Sequence, residues 1–354
     1  MIVYIAGFNL GIIPPTCLGD TGLLTITSTF GMLITVTNLG TMVELKSFLK
    51  EWKIVVVSIL SLAVMGVVFL TLGAAIFDPN RALIAYPPVA GGFTAVVMMA
   101  DHANSIGRAD YASLAWFLVT LQMFVGIPLA SFFLKRYCYQ FVKTEEFANY
   151  LPAGSGKAGK SLRFLPPIPD KYNSPNVILA KLLVITCLSN YLGTITPVPA
   201  AIYCLLFGML GCEIGFLDRQ ALQKSGMINL AMFCMMSSAP NSFATLSIPD
   251  LLSMIAPVVF FLIAGGIALA VGGALVGKLV KIPMTLAIPL ALNAMFGFPF
   301  NIMITDDVIR GMGLNEEDSN KLKSIIQPKM TIAGFASMTI MSVVIAAIVI
   351  PFIR

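Results

Sequence analysis

The chain has 354 residues, 58% of them hydrophobic and only 11% charged, with a formal net charge of +5. Soluble domains carry roughly 45–50% apolar and about 25% charged residues, so a water-soluble globular fold is excluded. The basic residues sit on loops between apolar runs, so the net charge is no sign of a nucleic-acid partner and none is expected; a single histidine excludes a multi-histidine metal site, and the six cysteines contain no CxxC pair, so no metal is expected.

In chain order, an apolar run over residues 2–13 stops at Pro14-Pro15. It has no basic residue before it and reads as neither a cleavable signal nor a full span. Spans are predicted at about 22–40, 54–77, 111–134, 176–196, 198–216, 226–245, 252–276 and 330–353. Crossing the hydrocarbon layer takes about 20 apolar residues. The runs 54–77, 182–212, 251–277, 282–305 and 330–353 reach that length without a charged residue or histidine. The expected class is an all-α polytopic membrane protein of the cell (inner or plasma) membrane.

Two apolar stretches are interrupted: 82–100 by Pro87-Pro88 and Gly91-Gly92, and 283–305 by Pro289, Gly297 and Pro299. The positive-inside rule distinguishes crossing from re-entry. If both cross, Lys46, Lys50, Lys53, Arg108, Arg310, Lys321, Lys323 and Lys329 fall outside. If both are re-entrant hairpins, only Arg81, Arg108 and Arg354 do. Re-entry is therefore expected, the first hairpin from outside and the second from the cytoplasm.

That arrangement predicts two inverted-topology repeats. A long span, a proline-broken dip, an acidic residue and a closing span occur in the same order over 54–134 and 252–353. The second repeat opens with 176–196, which has no counterpart before residue 2, so the first repeat is expected to lack its first span. The resulting organisation is an N-terminal membrane repeat over 1–134, a basic cytoplasmic linker over 135–175 and an inverted C-terminal repeat over 176–354.

Broken backbone at membrane depth is tolerated only where it is buried in protein or lines a wet cavity. The candidate substrate-binding residues are therefore Gly91, Gly92 and Thr94 at the first tip, and Asn293 and Gly297 at the second. Free N–H groups at the start of the half-helix after Gly92 would favour an anion. Glycine packing between helices is the alternative. Thr37, Asn38, Ser238 and Asn241 offer hydroxyl and amide oxygens beside Pro240, a set suited to Na⁺ or to interhelical hydrogen bonds. Asp101, Asp306 and Asp307, where the dips return to the surface, are candidate ion-coupling or solvated carboxylates.

With Gly91-Gly92-Phe93-Thr94 at a re-entrant tip, and Asn293 and Gly297 in place of a second glycine pair, the chain resembles the sodium–glutamate symporter and 2-hydroxycarboxylate carrier families. The resemblance covers the architecture of nearly the whole chain. It implies elevator-type secondary transport of a small carboxylate or amino acid with Na⁺ or H⁺, no other cofactor, and a scaffold that is often dimeric. A passive channel or a membrane protein without transport activity are the alternatives. An intramembrane enzyme would need a nucleophile–base pair, which the sequence does not offer.

Overall fold

Within lipid every backbone N–H and C=O must be satisfied inside the protein, which restricts uninterrupted apolar segments to helices or closed barrels. The computed structural model describes residues 14, 20–22, 26, 31–42, 50–149, 173–196, 198, 200–231, 233–234 and 248–354. Among these residues every regular element is helical. The principal helices are α1 (Met32–Met42), α2 (Trp52–Ile76), α3 (Pro79–Val89), α4 (Phe93–Ser105), α5 (Ala109–Phe141), α6 (Pro175–Ile195), α7 (Ala200–Ile214), α8 (Ile248–Val280), α9 (Met284–Leu292), α10 (Gly297–Arg310) and α11 (Glu316–Phe352).

Five of them, α2, α5, α6, α8 and α11, are long and apolar enough to cross a membrane. Helix α8 exposes Leu252, Ile255, Val259, Ile263, Ile267, Val271, Leu275 and Leu279 at steps of three or four residues. Such spacing puts them on one helical face, and an uninterrupted bare apolar face belongs in hydrocarbon rather than water. The protein is a membrane protein.

Two helices run past their predicted ends. Helix α5 continues from residue 134 through Lys135 and Arg136 to Phe141, so the polar connection begins later than expected. Helix α11 begins at Glu316, fourteen residues before the apolar run. Its start is fixed by Asn315, whose side chain accepts the Asp318 N–H at 2.7 Å, and by three acidic residues in the first turn, which complement the positive end of the helix dipole. Of the span expected over 226–245, residues 232 and 235–245 lie outside the described residues.

Helices α2–α5 and α8–α11 share the main apolar cluster, centred on Phe69, Trp116, Phe261 and Phe296, and α1 and α7 add Leu33, Val36, Ala201, Cys204 and Leu205 to it. A smaller cluster joins Ile34 of α1 to Ile178 and Leu182 of α6 and Cys212 of α7. Close helix approach rests on small residues, as expected where packing rather than water exclusion drives association. A Cβ on Gly40 would overlap the Leu205 carbonyl oxygen, and one on Gly208 would overlap that of Thr37, so α1 and α7 meet backbone to backbone. In the main bundle, Gly272 of α8 fits against Ser61 of α2, and Gly273 against Ala287 and Ala291 of α9.

Hydrogen bonds sort the chain's turns into two groups. At one, the Tyr111 hydroxyl donates to Asp78 at 3.0 Å, and the Arg354 N–H donates to Asn80 at 3.2 Å. At the other, Thr285 donates to the Gln140 side chain at 3.2 Å, and Lys321 donates to the Ala148 carbonyl at 3.0 Å. Residue 78, which opens the first broken pair α3–α4, thus lies beside residue 111, just beyond its close. Residue 285, which opens the second pair α9–α10, shares a group with the end of α5 and the start of α11.

Candidate functional site

The first break is made by glycine, not proline. Helix α3 starts at Asp78, whose carboxylate accepts the Arg81 N–H at 3.2 Å, with Pro79 in the first turn. Pro87 and Pro88, expected to interrupt the stretch, lie inside its last turns. They remove two donors without ending the helix, and the Ala90 N–H still reaches the Tyr86 carbonyl at 2.9 Å. The chain reverses at Gly91 and Gly92, with φ of +112° and +92°. Only glycine adopts such angles freely. Helix α4 follows at once, and Thr94 is buried in its first turn.

The second break is similar in plan and different in chemistry. Pro289 again lies within a helix, and α9 tightens into a 3₁₀ turn over Asn293–Met295. Phe296 and then Gly297, at φ +53°, redirect the chain into α10.

Both tips meet α11 where its winding loosens into a π segment, Phe335–Met341. Wider turns of this kind recur at functional sites. The Ser342 N–H bonds the Ser337 carbonyl, five residues back, which releases the Met338 carbonyl from its normal partner. The Ser342 hydroxyl donates to that released oxygen. A Cβ on Gly92 would stand 2.8 Å from the same oxygen, and one on Gly297 would run into the Met338 sulfur. A Cβ on Gly91 would overlap the Ala294 carbonyl oxygen, so the two tips also touch each other.

Beside this junction, Asn293 and Asn301 both donate their amide N–H groups to the Met330 carbonyl, Asn301 at 3.2 Å. Both side chains are fully buried. The Asn301 oxygen accepts the Ile302 N–H at 2.8 Å. The Asn293 oxygen is buried without a partner, lying against Gly334, where an added Cβ would be 3.2 Å away. An unpaired buried acceptor is costly, and this one can accept from a hydrogen-bond donor or meet a cation.

The structure therefore brings Gly91, Gly92, Asn293 and Gly297 together around the π segment. Asn301, Met338 and Ser342 complete the junction, and the sequence reading missed all three. Asn301 was visible as a second lone amide in the charge-free run 282–305, eight residues from Asn293. Nothing in the apolar run 330–353 signalled a π turn.

The candidate ion residues are not gathered there. Thr37 and Asn38 lie on α1, which contributes to both apolar clusters. The Asn38 oxygen accepts the Leu222 N–H at 2.8 Å and the Thr41 hydroxyl at 3.3 Å. Thr37 donates to the Leu33 carbonyl at 2.9 Å and accepts from Thr186 at 3.0 Å. Ser238 and Asn241 lie outside the described residues. Asp101 is partly buried near the end of α4, Asp307 is exposed on α10, and Asp306 pairs with Lys323 at 2.7 Å. Among the described residues no group of three His, Cys, Asp or Glu side chains could hold a metal.

Comparison with protein-family models gives no match for this chain, and comparison with curated proteins gives none either.

Proposed function

We propose that α3–α4 and α9–α10 are re-entrant hairpins entering from opposite faces, and that the protein is a secondary transporter. Its cargo is a small anionic or zwitterionic metabolite, a carboxylate or an amino acid, coupled to Na⁺ or H⁺. The observation that carries this reading is the meeting of two broken helices at one π turn, while the ends of each stay near one group of turns. Asp78 beside Tyr111, and Thr285 beside Gln140, support hairpins that return to the face they left. Lys321 at Ala148 supports a common cytoplasmic face for the basic segments, as the charge bias requires.

Alternating access needs a site that either face can reach and two bodies that move relative to one another. The tips offer the first, with backbone at Gly91-Gly92 for an anionic group and the unpaired Asn293 oxygen for a cation or a donor. For the second, α6 packs in the smaller cluster while α1 and α7 contribute to both clusters, so a relative movement would run along the face where α1 and α7 meet the main bundle.

Uptake into proteoliposomes tests the reading directly. Radiolabelled dicarboxylates and amino acids should show saturable, gradient-dependent uptake and counterflow. Sealed vesicles with folded protein that give neither, for any such solute under Na⁺ or proton gradients, overturn it. A current linear in voltage would indicate a channel instead. Topology has its own test: on a cysteine-free background, Asn80→Cys and Lys281→Cys should label from opposite faces.

A further inference from the structure

A cavity of about 490 Å³ lies apart from the hairpin tips, among the second group of turns. It is bounded by the start of α2, the end of α5, the turn between α8 and α9, and Lys329 of α11. Its floor is apolar and buried: Ile54, Tyr137, Phe141 and Leu286. Its charged lining is three lysines, Lys53, Lys281 and Lys329, against one carboxylate, Glu51. Among the described residues none of these lysines forms an ion pair. The surplus of two positive charges is held in one concavity, where low-dielectric walls focus the field.

Two further features give the same sign. Helices α2 and α9 both begin at this cavity, and neither has a side chain capping its first turn. Free N–H groups and the positive dipole end therefore reinforce the lysines. Lys281 also has a left-handed backbone, φ +62°. It closes α8 in a Schellman-like end, with the Ile282 N–H on the Gly277 carbonyl at 2.8 Å. Glycine usually occupies that position because it adopts the angle without strain. A lysine there is costly to the fold, and its ammonium lines the cavity.

We propose that this cavity binds a phosphate monoester group, whose charge at neutral pH is about −1.5 to −2, matching the surplus. Arginine is the residue favoured for bidentate carboxylate recognition, whereas lysine serves phosphate as a point charge. The cavity has lysine and no arginine. The group could belong to a soluble metabolite or to a lipid headgroup. On the other side of Gln140 a shallower groove carries Lys135, Arg136 and Lys143 with Phe132 and Tyr139, the basic and aromatic mixture of a membrane interface.

The test uses the full chain at constant ionic strength, because exposed charges are screened by salt. Inorganic phosphate and glycerol 3-phosphate are titrated into detergent-solubilised protein. In parallel, unfolding temperature is read in nanodiscs containing phosphatidic acid, a monoester, or phosphatidylglycerol, a diester. Lys281→Gly is the decisive variant because it relieves the backbone angle: its unfolding temperature without ligand should equal or exceed that of the unsubstituted protein. Its affinity for the bound probe should fall at least fivefold, as should that of Lys329→Gln. Lys278→Gln, which removes a charge from α8 outside the cavity, should retain affinity. Binding of the soluble phosphates, lost in those two variants, identifies a metabolite site. A shift with phosphatidic acid alone, lost in the same variants, identifies a headgroup site. No response to any phosphate monoester overturns the proposal. So does a response that Lys281→Gly and Lys329→Gln leave intact, or that Lys278→Gln weakens equally.

Discussion

The two broken helix pairs solve one geometric problem with different materials. The first reverses on two glycines at positive φ and presents little but main chain to its surroundings. The second reverses through a 3₁₀ turn and one glycine, and brings a buried amide, Asn293, with a second, Asn301, two turns on. The first tip is thus defined by what it lacks, a Cβ, and the second by polar atoms that need partners. Their neighbours differ in the same way. Gly91 abuts a backbone carbonyl, which cannot move, whereas Gly297 abuts the end of the flexible Met338 side chain.

That contrast predicts unequal responses to the same substitution. Gly91→Ala should be the more damaging of the two changes. It combines a forbidden backbone angle with overlap on the Ala294 carbonyl, together costing about 3 kcal/mol or more. Loss of folded protein in size-exclusion chromatography is the expected readout. Gly297→Ala should cost less, about 1–2 kcal/mol, because Met338 can swing aside. Adding Met338→Ala should recover part of that loss, whereas the same addition should not rescue Gly91→Ala. Equal rescue of both in a double-mutant cycle would erase the distinction between the tips.

The positions of both breaks were legible in the sequence because glycine and proline punctuate otherwise uniform apolar runs. Their cause was legible in part: Gly91-Gly92 and Gly297 turn the chain, whereas Pro87, Pro88 and Pro289 lie within helices, each giving up one i→i−4 hydrogen bond without ending its helix. Span existence was legible from length alone, while the ends of α5 and α11 were not. Lys135 and Arg136 extend a helix beyond the apolar run without breaking it, and the polar first turns of α11 are helical through capping at Asn315. The junction with the π segment was hidden because it depends on which helix the tips meet. Thr37 and Asn38 were visible as polar groups in an apolar span, but their partners, Leu222 and Thr186, come from parts of the chain that the sequence alone does not bring together.

Asn293 sharpens the comparison from the functional side. If its unpaired oxygen serves a solute or ion, Asn293→Leu should change stability by less than about 1 kcal/mol. The substitution removes a donated bond and an orphaned acceptor together, and Asn301 still covers the Met330 carbonyl. Saturable uptake should nevertheless fall by at least tenfold. A variant that unfolds several degrees earlier yet transports normally would make Asn293 a structural amide, no different in kind from the glycines of the first tip.

The smallest expected effect separates the carboxylates that follow the two tips. Asp306 is neutralised by Lys323 at 2.7 Å. Asp101, outside the five candidate spans and one turn before the exposed Ser105–Gly107 turn, has its pKa pushed up by burial to about 6. A carboxyl whose folded pKa exceeds its unfolded one favours the fold when protonated. Stability should therefore fall as pH rises from about 4 to 6 and level off above. Asp101 keeps some solvent contact, so the slope should amount to less than about 1 kcal/mol. Asp101→Asn should abolish that slope in thermal unfolding between pH 4 and 7, while Asp306→Asn should leave it in place. If the slope follows Asp306 instead, the ion pair rather than the burial of Asp101 governs the acid response, and the two tips are more alike electrostatically than their backbones are.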